Sequence, residues 1–192
     1  MCSNHKYIAF GTIVRKEVRR FARIWLQTLV PPVITIGLYF VVFGNLVGRR
    51  IGDMGGYDYM DFIVPGLIMM SVIQNSYSNV VSSFFSHKFQ RSIEELLVSP
   101  VPNYIILLGF IVGGMARGLA VGGIVTTMAI LFGGLTIENP FITLTVILLT
   151  STVFAMAGFI NAIFANSFDD ISIIPTFVLT PLIYLGGVFY SI

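Results

Sequence analysis

Charge is scarce in this sequence: Asp, Glu, Lys and Arg make up 10% of its 192 residues. A soluble domain carries about a quarter of its residues charged and uses them to cover its surface. Hydrophobic residues reach 56% and mean hydropathy is +0.89, so lipid is the solvent that fits. Cysteine occurs once, as Cys2, which excludes an internal disulfide. Histidine occurs twice, as His5 and His87, without a cysteine or carboxylate cluster at ligand spacing, so no metal site is expected. The three lysines, Lys6, Lys16 and Lys88, follow no G-x-x-x-x-G-K-[ST] pattern, which excludes a P-loop ATPase in this sequence. H-E-x-x-H and G-x-S-x-G are absent too, and with them any support for metalloprotease or serine-hydrolase chemistry. Gly52-Asp53 lies in a polar loop, where an intramembrane aspartyl protease has no use for it. No catalytic residue and no cofactor bound by this chain is expected. A net charge of +2 leaves no basic face for nucleic acid.

What is present is a succession of apolar runs with short polar breaks. The chain reads as all-α, a polytopic membrane helical bundle forming a single domain over residues 1–192, with an N-terminal amphipathic interfacial helix. Between residues 6 and 23, Tyr7, Phe10, Val14, Val18 and Phe21 form one stripe. Arg15, Lys16, Glu17, Arg19, Arg20 and Arg23 occupy the other side, the pattern of a helix lying in the membrane plane with its basic face toward anionic headgroups. Five spans are expected, at about 24–47, 62–85, 104–135, 140–165 and 173–192. Pro31-Pro32 either opens the first membrane helix or kinks it. The apolar run continuing from Val33 to Val47 favours opening.

Polar residues inside the spans mark the candidate path. Ser71, Gln74, Asn75, Ser78, Asn79 and Ser82 share one side of the second span. In hydrocarbon these groups need partners, so that side faces protein or water. Interhelical hydrogen bonding and the lining of a translocation path both fit. The third run carries Gly109, Gly113, Gly114, Gly118 and Gly122, a spacing that lets helices approach closely. It also carries Arg117, the only charge within a span. Arg117 either snorkels to an interface or pairs within the protein.

Between the second and third runs, residues 86–103 (SHKFQRSIEELLVSPVPN) mix both charges and stop at Pro100 and Pro102. Phe89, Ile93, Leu96 and Leu97 recur at helical spacing opposite Gln90, Arg91, Glu94 and Glu95. The segment is a short amphipathic helix, seated in the headgroup layer or presented to a cytosolic protein. The 48–61 loop (GRRIGDMGGYDYMD), the turn at 136–139 and the acidic link 166–172 with Asp169 and Asp170 are the other breaks. Lys6, Arg15, Lys16, Arg19, Arg20, Arg23, Lys88 and Arg91 fall on one side of the membrane and only Arg49 and Arg50 on the other. That asymmetry places the N-terminus, residues 86–103 and the 166–172 link in the cytoplasm.

With TLVPPVITIGLYF, FIVPGLIMMSVI, KFQRSIEELLVSPVP, GGMARGL and FDDISIIPTFVLTPLIYLGGVFYS in this order, the sequence resembles the ABC-2 type ATP-binding-cassette transporter permeases of bacterial inner membranes. The likeness extends over essentially the whole chain, and EELLVSPVP is its most specific part. It implies a six-span half-transporter that forms a homodimer and works with separate ABC ATPase (nucleotide-binding) subunits, which use the ATP. It also implies that residues 86–103 are the coupling helix, with Lys88, Arg91, Glu94 and Glu95 as polar contacts to the ATPase. Asp169 and Asp170 would form a second, smaller contact. The family pattern continues past Ile192 with a re-entrant segment and a last span, so a fragment lacking the sixth span is expected.

The leading function is thus the membrane subunit of an exporter. An ATP-independent carrier or channel is the alternative, using the polar side of span two and Arg117. A non-transporting scaffold subunit is a third. No dense charge marks an ion as cargo, and Tyr77, Phe84 and Phe85 suit many amphipathic substrates.

Overall fold

A computed structural model describes residues 2–42, 53–54, 57–133 and 139–188. The expectations for the rest of the 48–61 loop, including Arg49 and Arg50, for most of the 136–139 turn, and for the chain after Val188 lie outside these residues. Among the described residues the regular structure is helical apart from one small pair of strands. In it β1 (Asp53–Met54) runs antiparallel to β2 (Tyr57–Asp58), with Asp53 opposite Asp58.

Helix α1 (Cys2–Arg23) is separated from α2 (Trp25–Tyr39) by a single residue, Ile24, whose backbone (φ −106°, ψ 33°) leaves the helical region. Pro31 and Pro32 lie inside α2. The expectation that they open the membrane helix is therefore corrected: the helix starts two turns earlier. The missing proline N–H groups leave the carbonyls of Gln27 and Thr28 without their usual i+4 donors.

Helix α3 (Tyr59–Phe89) is the centre of the bundle. At 31 residues it is roughly 46 Å long at 1.5 Å per residue. It is followed by α4 (Ser92–Val98), α5 (Asn103–Gly133) and α6 (Pro140–Phe164). A last helical run begins with α7 (Asp170–Ile174), widens to a π turn over Pro175–Leu179, continues as α8 (Thr180–Ile183) and widens again over Tyr184–Val188. Pro175 and Pro181 sit in this run and explain its irregular ladder.

Among the described residues, three helices are long and apolar enough to cross a membrane: Trp25–Val42, Asn103–Leu131 and Pro140–Phe164. The run Asp170–Gly186 is apolar but shorter. Helix α3 has the length, and its polar residues lower its hydropathy. Those residues are buried: Ser71, Asn75, Ser76, Asn79 and Ser83 are each at most 6% exposed. Large apolar side chains point outward instead, Ile34 and Leu38 on α2, Phe141 and Leu149 on α6, and Phe177 and Leu182 on the last run. This is the inversion a lipid solvent produces.

Close packing comes from two glycine rows on α5. Gly114, Gly118 and Gly122 face α3, where a Cβ on Gly118 would collide with the Ser76 hydroxyl and one on Gly122 would lie 2.6 Å from Val72 Cγ2. Gly109 and Gly113 face α1, where Cβ atoms would lie 2.5 Å from Ile13 Cγ2 and 2.6 Å from Glu17 Cβ. Lipid tails offer no hydrophobic drive for helix association, so such contact is what holds the helices together. On α6, Gly158 meets the Tyr77 carbonyl in the same manner. Helix α1 is therefore docked on α5. Glu17, expected on the charged face, is 1% exposed. Its Oε1 accepts a hydrogen bond from Ser83 Oγ (2.7 Å), and Arg20 lies 3.4 Å from Oε2. A carboxylate can be buried here because Gly113 gives it room and Ser83 and Arg20 give it partners.

Candidate functional site

Polar residues on α3 repeat at three- and four-residue spacing, so the helix turns them to one side. Ser71 Oγ donates to the Ile68 carbonyl (2.7 Å), and Asn75 Nδ2 donates to the Ser71 carbonyl (2.9 Å). That leaves Asn75 Oδ1 free to accept from Arg117 Nη2 across the α3–α5 interface, at 3.2 Å. Arg117 sits mid-way along the unbroken α5, paired inside the protein, and its buried Nε has no hydrogen-bond partner.

These groups line a cavity of about 290 Å³. Ser71, Gln74, Asn75 and Ser78 come from α3 and Arg117 from α5, so five of the six candidate path residues meet in one place. Ser82 lies outside it, one turn on, with its hydroxyl donating to the Asn79 carbonyl (3.2 Å). The remaining wall is α2: Gln27, Thr28, Pro31, Pro32, Thr35 and Ile36. Sequence reasoning missed Gln27, Thr28 and Thr35. Their signal was the spacing 27, 31, 35 and 28, 32, 36, which puts polar groups and prolines on one face. The segment whose carbonyls lose their donors to Pro31 and Pro32 is the segment lining the cavity. The lining carries hydroxyls, amides and one guanidinium, with no carboxylate. Such a surface hydrogen-bonds a polar cargo or water.

At the far end of α3 the chain turns sharply. Arg91 adopts φ 57°, ψ 9°, the only non-glycine residue with positive φ among those described, and this ends α3 and starts α4. The expected amphipathic helix is therefore shorter, and Lys88 and Phe89 belong to α3. On α4, Glu94, Glu95, Leu97 and Val98 are exposed, Val98 at 87%, together with Arg91 before them. Lys88 points elsewhere: its Nζ donates to the carbonyls of Ile163 (2.7 Å) and Ala165 (2.6 Å) at the end of α6. Phe89 packs against Phe168 at 5.0 Å, and Phe85 against Phe168 at 4.9 Å. The α3–α4 corner and the 166–172 link thus form one unit.

Within that link, Asp169 is exposed and Asp170 closes its own turn. Asp170 Oδ2 accepts from the backbone N–H groups of Asn166 (2.9 Å) and Ser167 (3.0 Å), and its own N–H donates to Ser167 Oγ (3.2 Å). These bonds, Asn166 first, hold its carboxyl below the usual range. His87 bridges α1 and α4: Lys16 Nζ lies 3.2 Å from Nε2 and Ser92 Oγ 3.0 Å from Nδ1. An ammonium can only donate, so Nε2 accepts and Nδ1 carries the proton to Ser92. Among the described residues, no group of His, Cys, Asp or Glu is placed to hold a metal ion.

A bundle of apolar helices tightened by glycine, a polar cavity between α2, α3 and α5 and a charged corner outside them fit a membrane transport permease. The chain belongs to the ABC-2 type transporter family, whose sequence profile matches residues 8–192. It is similar to the inner membrane transport permease YadH of Escherichia coli strain K12, at 60% identity over 97% of this chain and 73% of that protein. More distantly, it is similar to Nodulation protein J of Rhizobium leguminosarum bv. trifolii, 24% identical over 81% of this chain and 60% of that protein. Nodulation protein J of Sinorhizobium fredii is 25% identical over 87% of this chain and 63% of that protein. No solved structure matches.

Proposed function

We propose that this chain is the membrane-spanning subunit of a bacterial inner-membrane exporter, driven by ATP hydrolysis on a separate nucleotide-binding subunit. The observation that carries this is the α3–α4 corner. It presents Arg91, Glu94, Glu95, Leu97 and Val98 together, with the left-handed Arg91 turning α4 off the end of α3 and Leu96 seating it on the bundle. A short helix with both acidic and apolar exposed groups suits docking into a groove of a partner. Lys88 and Phe89, which the family resemblance implies as docking residues or their neighbours, transmit instead of touching: they tie the corner to α6 and to Phe168. Movement of α4 by the ATPase then reaches α3 and α6 together and reshapes the cavity at Asn75 and Arg117. Asp169 adds a second contact.

The basic residues of α1 favour a cytoplasmic N-terminus. The name of the similar YadH permease supports the inner membrane as the location. The apolar outer faces of α2 and α6 suit lipid and a second copy of the permease. Cargo enters the polar cavity, whose hydroxyl and amide groups favour an uncharged polar or amphipathic substrate.

Reversing both charges, Glu94→Lys with Glu95→Lys, tests the coupling role. ATP-driven transport is lost while membrane insertion is kept. Normal ATP-driven transport in the double variant would reject it. The alternative, an ATP-independent carrier, is favoured only by the cavity with its buried Arg117. It requires flux without a co-purifying ATPase, and no carboxylate lines the cavity to carry a coupling proton.

A further inference from the structure

A second cavity, of about 830 Å³, opens between α1 and the end of α3, away from the polar cavity. Its cationic lining is Arg15, Lys16, Arg19, Arg20 and Arg23, with the neutral His87 beside them, and no carboxylate lines it. Glu17, the one acid of α1, does not line it; it is buried, accepts from Ser83 and lies 3.4 Å from Arg20. We propose that this cavity is a binding site for a phosphate headgroup, one phosphomonoester of an anionic amphiphile per chain, held by Arg15, Arg19 and Arg23 and closed by Arg20.

Several independent features point to an anion here. Arg20 spends Nη2 on the carbonyl and Oδ1 of Asn79, both at 2.9 Å, yet its buried Nε has no partner. Arg15, Arg19 and Arg23 make no ion pair or hydrogen bond with any described residue. Arg15, Arg19 and Arg23 recur at four-residue spacing, where like charges repel, and the one acid of the helix, Glu17, pairs with Arg20 and not with them. Guanidinium forks match phosphate oxygens two at a time, which a dianionic phosphate exploits more fully than a carboxylate. His87 reports the same field: burial first, then Lys16 and Arg20, lower its pKa from the ordinary value. Ile24 lines the mouth, and Trp25 and Leu26 beside it are 56% and 61% exposed. That apolar lip is where the chains of an amphiphile would lie while its phosphate reached the arginines. The site does not depend on the ATPase partner or on which way the chain spans the membrane.

The test uses the purified chain in the uncharged detergent dodecyl maltoside. Trp25, the sole tryptophan, reads binding by fluorescence, and native mass spectrometry counts bound molecules. Dioctanoyl phosphatidic acid should bind saturably at one per chain. Arg15→Gln, Arg19→Gln and Arg23→Gln together should weaken it about tenfold or more. Lys6→Gln, outside the cavity, should leave it unchanged. Inorganic phosphate that binds as tightly, and loses binding in the triple variant, would keep the phosphate site and assign it to a soluble ester. Displacement of the lipid only at far higher phosphate concentration would assign it to a lipid. No binding, equal binding of dioctanoyl phosphatidylcholine, or an unaltered triple variant would overturn the proposal.

Discussion

Lys88 Nζ lies 2.6 Å from the carbonyl oxygen of Ala165, on the residue that closes α6. A second bond, to Ile163 at 2.7 Å, makes the ammonium a cap for the carbonyls a helix end leaves unpaired. Replacing Lys88 with methionine keeps the apolar stem and removes both bonds. Charged hydrogen bonds of this kind are worth about 1.5–3 kcal/mol each when buried and less when partly exposed. Lys88→Met should therefore destabilise the detergent-solubilised protein by about 1–2 kcal/mol in thermal unfolding. Arg91→Ala, at an exposed side chain, should cost well under that. Equal losses for the two would show that Lys88 is no cap.

The glycine rows predict a contrast on a single helix. Gly118 has no room for a Cβ because the Ser76 hydroxyl occupies the place, whereas Gly123 has nothing within 4 Å. Gly118→Ala should weaken α3–α5 packing by about 1–3 kcal/mol, the usual cost of overfilling. Gly123→Ala should be neutral or slightly stabilising, since alanine is the better helix former. Melting of the two variants in detergent gives the comparison. A harmless Gly118→Ala would place the helices further apart than described.

Why some of this was readable in advance and some was not follows from distance along the chain. Glycines at spacing four announce a close contact by themselves, because only their own side matters. The polar row from Ser71 to Ser78 was legible for the same reason. Glu17 was not: nothing near it in sequence reveals that Gly113 opens space beside it and that Ser83 supplies a donor. The bonds of Lys88 to the end of α6 were not legible either, because its acceptors lie 75 and 77 residues away. Pro31-Pro32 is a stop signal in water, yet α2 continues through it, which nothing in the local sequence announces.

Asn75 and Arg117 give the cavity an interhelical polar contact with a charge. Arg117→Leu removes the charge and leaves Asn75 Oδ1 unpaired in a buried place. Hydrogen bonds between membrane helices average about 0.6 kcal/mol and reach about 1.7, so the fold should survive. Transport, if the cavity is the path, should fall roughly tenfold or more, because a substrate group that met the guanidinium is left unpaired. Asn75→Leu should have a smaller effect on flux. Vesicle transport with the ATPase partner present measures both. Full flux in Arg117→Leu would demote the pair to packing.

His87 supplies a dependence on pH with a definite sign. Its pKa is lowered from 6.5 by burial first, then by Lys16 and Arg20. Lys16 and Arg20 face it from α1, Ser92 and Glu95 from α4, and the Phe110 ring from α5 at 5.9 Å. The neutral ring accepts from Lys16, and a protonated ring cannot. A depressed folded pKa means that the unfolded chain binds the proton more readily. The stabilisation is thus complete above about 6.5 and is lost as pH falls through the lower folded value. Melting of the purified protein should therefore drop from about pH 7.5 to about pH 5 more steeply than that of His87→Gln, which hydrogen-bonds without titrating. Parallel melting curves for the two proteins would mean that the Lys16–His87–Ser92 bridge between α1 and α4 contributes nothing through its protonation state.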